Sequence, residues 1–188
     1  MKSRNYAGIS LLASLAACNS ATAETVQKNS TQDPKKPNVI VILADDLGYG
    51  DLKCYGAKNV ETPHVDKLAS EGIRFTNAHT VAATSTPSRY SLLTGEYAWR
   101  RPDTDIAAGD VKMIIRPEQY TMADMFKSAG YATAAIGKWH LGSWKEYAPN
   151  SRGFDYFWGF LGGCIDSYSH FYYWGGPNRH DLWRNGEE

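Results

Sequence analysis

The sequence has no excess charge of either sign. Its 188 residues include 20 Lys and Arg against 20 Asp and Glu, which gives a net charge of zero at pH 7. Without a basic field the chain has no general affinity for nucleic acid or for an anionic membrane, so binding to a polyanion would need a local site. Length and composition, with 43% hydrophobic residues, are those of about one globular domain.

Cysteine is also scarce. The three cysteines are Cys18, Cys54 and Cys164, and the first belongs to the N-terminal segment described next. Two remaining thiols are too few for a disulfide framework of the kind that staples small exported domains. We therefore expect Cys54 and Cys164 to be unpaired core residues.

A long hydrophobic run is missing as well. The apolar stretch at 9–17 is too short to span a bilayer as a helix. It follows basic residues and ends in small ones, which predicts a signal peptide at 1–17. The LAAC sequence at 15–18 resembles a bacterial lipoprotein signal, which implies lipidation of Cys18, export, and an anchor in the periplasm or outer membrane. The alternative is an ordinary secretory signal in which Cys18 is incidental.

After this segment the chain divides by composition. Residues 18–37 are polar, aperiodic and punctuated by proline, so they are interpreted as a flexible tether. The folded part is expected at 38–188. It opens with NVIVIL at 38–43, a β-branched run typical of a strand inside a mostly parallel sheet.

Helix and strand patterns alternate beyond this point. Helices are predicted at 62–72, at 87–93 with a stop at Gly95, and at 121–130 with Thr121 as N-cap. Two further strands are predicted at 73–79 and 131–137. This alternation predicts an α/β domain with a parallel sheet, whose ligands bind beyond the carboxyl ends of the strands.

Charged side chains follow two of the predicted strands. Asp45 and Asp46 come after 38–43, and Lys138 and His140 come after 131–137, so we expect both pairs to face one crevice. Adjacent carboxylates repel each other unless a cation lies between them, and oxygen ligands favour calcium or magnesium. The alternatives are a solvated turn for the aspartates, a solvated lysine and a core histidine.

Ser85 and Arg89 lie one turn apart at the start of a predicted helix. Free N–H groups and the helix dipole favour an anion there, and the Arg89 fork could bind the same anion. Taken alone, Ser85 could equally be a helix cap, and Arg89 could form a surface salt bridge.

The stretch from 85 to 95 fits the pattern S-x-P-S-R-x-x-L-x-T-G, with Ser85, Pro87, Ser88, Arg89, Leu92, Thr94 and Gly95 at its fixed positions. This pattern resembles the signature of the formylglycine-dependent, type I sulfatases. Residues 130–142 (GYATAAIGKWHLG) resemble the second signature of that family, and 37–51 (PNVIVILADDLGYGD) its opening strand and metal loop. The resemblance implies an alkaline-phosphatase-like α/β sandwich, incomplete in this chain, and an arylsulfatase of the serine-type bacterial branch.

The resemblance implies a chemical role for each of the candidate site residues. Ser85 would be oxidised to formylglycine, whose hydrate supplies one hydroxyl to attack sulfur and a second to release sulfate. Asp45, Asp46 and the modified Ser85 would bind calcium, which screens the sulfate and activates the hydroxyl. Arg89 would hold the formylglycine. The remaining implied groups are Lys138, which bridges to a sulfate oxygen, and His140, which acts as base.

The resemblance also implies partners. A radical S-adenosylmethionine sulfatase-maturing enzyme would modify Ser85 before export, and the substrate would be a sulfated sugar. The aromatic stretch at 164–183, with Asn178, Arg179 and His180, could line the substrate crevice or simply pack as a loop. No nucleic-acid partner is expected.

The resemblance runs from about Pro37 to the end of the sequence, but some residues of the family pattern are not found. A later Asp-Asn or Asp-His metal pair, and a later histidine and lysine that grip sulfate, are not found. We therefore expect 38–188 to be the N-terminal part of a sulfatase domain, which puts the activity of these residues alone in doubt. One alternative is a non-catalytic lipoprotein that binds sulfated glycans. The other is a phosphohydrolase of the same superfamily, which would need zinc ligands.

Overall fold

The computed structural model describes residues 36–107, 112–174 and 178–188. The chain divides into two units, Met1–Leu43 and Ala44–Glu188. The predicted signal peptide, Cys18 and most of the predicted tether lie outside the described residues. Within those residues, no helix is long and apolar enough to cross a membrane.

In the first unit, the strand predicted at 38–43 is wrong. Residues 36–43 form no strand, and their apolar side chains are exposed, including 83% of Ile40. β-branched residues favour extended backbone, but a strand exists only where a neighbouring strand accepts its hydrogen bonds.

Within its described residues, the second unit holds three α-helices and three strands. They alternate with short 3-10 turns at Tyr49–Asp51, Lys53–Tyr55, Ala98–Arg100, Lys145–Tyr147 and Pro149–Arg152. The elements in chain order are α1 (Pro63–Glu71), α2 (Ser85–Thr94), α3 (Met122–Ser128), β1 (Ala134–Lys138), β2 (Tyr156–Phe160) and β3 (Trp183–Arg184).

All three predicted helices are confirmed, and their ends follow local chemistry. Pro63 occupies the first turn of α1, where its missing N–H costs nothing. Helix α2 begins at Ser85 rather than at Pro87. It ends where Gly95 adopts a left-handed φ of 69° and donates its N–H to the Ser91 carbonyl at 2.9 Å.

The sheet is mixed and has the order β1-β2-β3. Strands β1 and β2 are parallel, with Ala134 opposite Tyr156 and Lys138 opposite Phe160, whereas β3 is antiparallel to β2. The strand predicted at 131–137 is thus confirmed as β1. The strand predicted at 73–79 is wrong, since this segment is irregular and exposes its apolar side chains.

The core joins α2 to the carboxyl ends of the parallel strands. Tyr90 and Leu93 of α2 pack in one cluster with Phe157 of β2 and with Leu141 and Leu161, which follow β1 and β2. Burying each such side chain contributes about 1.5–3 kcal/mol. This packing fixes the start of α2 against the end of β1, which is where the predicted site residues lie. Cys54 and Cys164 are free thiols, as expected, but only half-buried.

Candidate active site

Lys138 joins three segments that are far apart in sequence. It is the last residue of β1, and its ammonium donates to Ser85 Oγ at 2.8 Å and to Asp45 Oδ2 at 2.8 Å. Ser85 is the first residue of α2, and Asp45 lies in the loop at the start of the second unit. One ammonium therefore bridges a carboxylate and the hydroxyl at a helix N-terminus.

Arg89 supports the same cluster from one turn further along α2. Its guanidinium donates to the backbone carbonyl of Lys138 at 2.6 Å and lies 3.6 Å from Asp45 Oδ1. The side chain is only 12% exposed. Its Nε is buried and, among the described residues, without a hydrogen-bond partner. Burial lowers the pKa of Arg89 and Asp45 opposes this, but an arginine starts so far above neutrality that it stays charged.

Asp45 is held as a carboxylate. Burial alone would raise its pKa, but the hydrogen bond from Lys138 and the positive charges of Lys138 and Arg89 bring the pKa below its usual value. Asp46 follows with a left-handed φ of 60°, a conformation that aspartate tolerates better than most residues. Asp45 and Asp46 therefore differ in backbone conformation, because only Asp46 is left-handed.

His140 lies two residues beyond Lys138 and is 7% exposed. Its Nε2 is 3.0 Å from the carbonyl oxygen of Ala107. Because a carbonyl oxygen only accepts, Nε2 must carry a proton. Nδ1 is buried and has no partner within the described residues. Burial lowers the pKa of His140, and the positive charges of Lys138 and Arg89 lower it further. The result is a neutral imidazole with a free lone pair on Nδ1.

Sequence reasoning missed three residues that contact His140 or hold the segment beside it. They are Ala107, Gly163, which packs against the imidazole ring, and Asp181, which holds the segment just before Gly163. The Gly162-Gly163 pair after an aromatic run is the one signal that could have pointed there, because adjacent glycines mark a close backbone approach.

The aromatic stretch at 164–183 is partly packed and partly exposed. Arg179 lies over the Tyr172 ring at 5.0 Å, and His180 makes an edge contact with Phe171. Tyr168 and Trp174 are mostly exposed. Loop packing therefore accounts for part of the stretch, while its exposed rings are free to meet a ligand.

The oxygen donors Asp45, Asp46 and Ser85 match a hard cation such as calcium in type but not in number. Calcium takes about six to eight oxygen ligands. In the part of the chain that the structure describes, no three His, Cys, Asp or Glu side chains come together as a ligand set. These residues therefore fit part of a calcium site, and water, substrate or other groups would have to complete it.

The fold and this polar cluster define an α/β domain of the alkaline-phosphatase-like type, since solved sulfatases share its architecture. The chain belongs to the sulfatase family, because the family model described as Sulfatase matches residues 37–180. The resemblance to type I sulfatases is thereby confirmed.

The relatives include enzymes that act on sulfated sugars. An N-acetylgalactosamine-6-O-sulfatase of Bacteroides thetaiotaomicron is 52% identical over 77% of this chain and 30% of its own length. A structure from that bacterium, described with its metabolism of multiple glycosaminoglycans, has a TM-score of 0.70 and 45% identity, covering 82% of this chain and 32% of its own. Ps i-CgsB in complex with k-i-k-neocarrahexaose has a TM-score of 0.61 and 36% identity, covering 70% of this chain and 30% of its own. The chain thus spans about a third of the length of these relatives.

Proposed function

We propose that this protein hydrolyses sulfate esters on sulfated carbohydrate, and that the reaction takes place at Ser85. The observation that carries the proposal is the Lys138 ammonium, 2.8 Å from both Ser85 Oγ and Asp45 Oδ2. It places a fixed positive charge beside the hydroxyl at the start of α2, where an anionic sulfate is also favoured by the helix dipole. Membership of the sulfatase family supports the assignment.

Each side chain of the cluster has a defined task in this proposal. Lys138 and Arg89 neutralise the sulfate oxygens, since Lys138 contacts both Ser85 and Asp45 and the Arg89 guanidinium lies 3.6 Å from Asp45 Oδ1. His140 takes up a proton on Nδ1, because its other ring nitrogen is committed to the Ala107 carbonyl. Overall, water is added across the S–O bond, which yields the sugar hydroxyl and sulfate.

Two further groups belong to the proposal. Ser85, oxidised to formylglycine by a radical S-adenosylmethionine maturase, would supply a geminal diol as nucleophile in place of a simple hydroxyl. Calcium, held by Asp45, Asp46 and residue 85, would polarise the sulfate group. The oxygen donors of this loop and the depressed pKa of Asp45 suit a hard cation.

A sugar substrate is supported by the relatives and by the surface near residue 170. The N-acetylgalactosamine-6-O-sulfatase and the structure with bound neocarrahexaose both concern carbohydrates. Tyr168 and Trp174 expose rings of the kind that stack on sugar faces. A 6-O-sulfated N-acetylgalactosamine is therefore the first substrate to test.

The experiment is mass spectrometry of the peptide that contains Ser85, after coexpression with a radical maturase. We expect this residue to lose two hydrogens and to react with a hydrazide, while Ser91 on the same helix stays unmodified. A matched Ser85→Ala variant should show neither change. Unmodified Ser85, with the maturase active on a control substrate, would overturn the catalytic proposal and favour a protein that binds sulfated glycans without cleaving them.

A further inference from the structure

Asp181 is a buried carboxylate that the proposed reaction does not use. It is 1% exposed and accepts three N–H groups: from Gly162 at 2.7 Å, from the Trp183 indole at 2.7 Å and from Leu161 at 3.3 Å. A carboxylate is acceptor-only, so three donors suit it, and without them its burial would be costly. The side chain therefore holds the segment that follows β2.

That segment accepts backbone hydrogen bonds from Trp139 and His140. Beyond the end of β1, the N–H of Trp139 donates to the Phe160 carbonyl at 2.9 Å, and the N–H of His140 donates to the Leu161 carbonyl at 3.1 Å. His140 has a left-handed φ of 57°, which a residue with a Cβ adopts only when its surroundings impose it. The peptide held by Asp181 thus also fixes this conformation.

The same segment forms one wall around the imidazole. A Cβ added at Gly163 would lie 2.6 Å from His140 Nε2 and 2.8 Å from Cε1, so only glycine lets the backbone approach the ring this closely. The Ala107 carbonyl contacts the same nitrogen from another segment. The ring orientation, and with it the free Nδ1, therefore depends on where Gly163 lies.

We propose that Asp181 is a positioning residue for His140, acting through the backbone of Leu161, Gly162 and Gly163. It fixes the ring so that Nε2 donates to Ala107 and Nδ1 remains free. The purpose of this arrangement rests on the proposed function, in which His140 Nδ1 takes up a proton. The arrangement itself does not depend on the proposed function.

The test is nitrogen NMR of the full chain with labelled histidine, with the His140 signals identified from a His140→Asn variant. Asp181→Asn keeps the side-chain size but replaces one acceptor oxygen with an NH2 group. This group cannot accept a hydrogen bond, so at least one of the three N–H donors loses its partner. We expect both ring nitrogens of His140 to shift and the population with the proton on Nε2 to fall. His64 and His79 serve as internal references.

Asp155→Asn is the matched control. Asp155 accepts the Thr133 N–H at 3.0 Å and so holds the opposite end of the same strand pair. It should leave the His140 signals in place. If Asp181→Asn folds with the His140 signals unmoved, or if Asp155→Asn moves them equally, the proposal is overturned.

Gly163→Ala covers the case in which Asp181→Asn does not fold, because its added methyl group must displace the ring directly. Unchanged His140 signals in that variant would also overturn the proposal. No sulfate ester enters these measurements, so a failure to hydrolyse substrate would count only against the proposed function.

Discussion

His140 is expected to make the stability of the fold depend on pH. Its pKa is lowered mainly by burial, from an unfolded value of about 6.5. Below that value the unfolded chain binds a proton that the folded chain does not, so stability falls as the pH drops through this window. The contribution is fully present above the unfolded pKa and is lost toward the lower folded pKa.

Replacing His140 with asparagine should therefore flatten the stability profile between about pH 7 and pH 5. Asparagine is chosen because it tolerates the left-handed backbone at this position. The measurement is urea unfolding at several pH values. His64→Asn, on the exposed surface of α1, should keep the original slope. An unchanged slope in His140→Asn would show that other groups set the acid sensitivity.

Arg89 is predicted to be irreplaceable by lysine. Its fork reaches both the Lys138 carbonyl and the Asp45 carboxylate from a nearly buried position, which one ammonium cannot reproduce. We expect Arg89→Lys to lower the free energy of unfolding by about 1.5–3 kcal/mol, the usual value of hydrogen bonds to charged groups. Arg100→Lys, at an exposed position, should change it by less than about 0.5 kcal/mol. Equal effects in chemical denaturation would contradict this.

The sequence predicted the cluster better than the surroundings of His140. Rules for strand ends and helix starts single out Lys138 and Ser85, and Asp45 was predicted beside them although the strand expected before it does not form. The structure brings Asp45 and Ser85 within hydrogen-bond distance of the Lys138 ammonium. Ala107 contacts His140 from a distant loop, and Asp181 holds the neighbouring segment at Leu161 and Gly162. No local sequence pattern encodes such long-range contacts. The chemical roles of the cluster residues stay predictions.

At the scale of elements, helix ends were predictable because their signals are local. The Pro63 start, the Gly95 stop and the Thr121 cap are all present in the structure. Strands were less predictable, because they depend on partners distant in sequence. The apolar segment 38–43 forms no strand, whereas β2 forms in an aromatic stretch for which no strand was predicted.

The capping box of α3 offers a test at this scale. Thr121 Oγ1 accepts the Asp124 N–H at 3.2 Å, and Asp124 Oδ2 accepts the Thr121 N–H at 2.9 Å. Thr121→Ala should cost about 0.5–2 kcal/mol of stability. Thr84→Ala is the matched control, because Thr84 occupies the N-cap of α2 without a capping bond from its side chain. Its cost should stay below about 0.5 kcal/mol; a similar loss of melting temperature in both variants would show that the capping bonds contribute little.

At the scale of the whole molecule, the site combines an exposed segment with a packed one. No residue at 44–85 is fully buried, whereas the core is drawn from residues beyond 85. Asp45 therefore belongs to a segment with little packing of its own, and its contacts with Lys138 and Arg89 link that segment to the core. Electrostatic contacts thus help to hold this segment on the domain, whereas apolar packing holds the segments of the core.

We predict that Cys18 attaches this chain to a membrane. The short apolar stretch before it cannot span a bilayer, so durable attachment needs acyl chains on the cysteine, each buried CH2 contributing about 0.8 kcal/mol. In a Gram-negative host, the chain should sediment with membranes and incorporate a fatty-acid label. Cys18→Ser should lose the label and appear in the soluble fraction. Cys54→Ser keeps the lipoprotein signal intact and should behave as the original chain. Membrane attachment that survives Cys18→Ser would instead favour an ordinary secretory signal and an anchor that does not involve this cysteine.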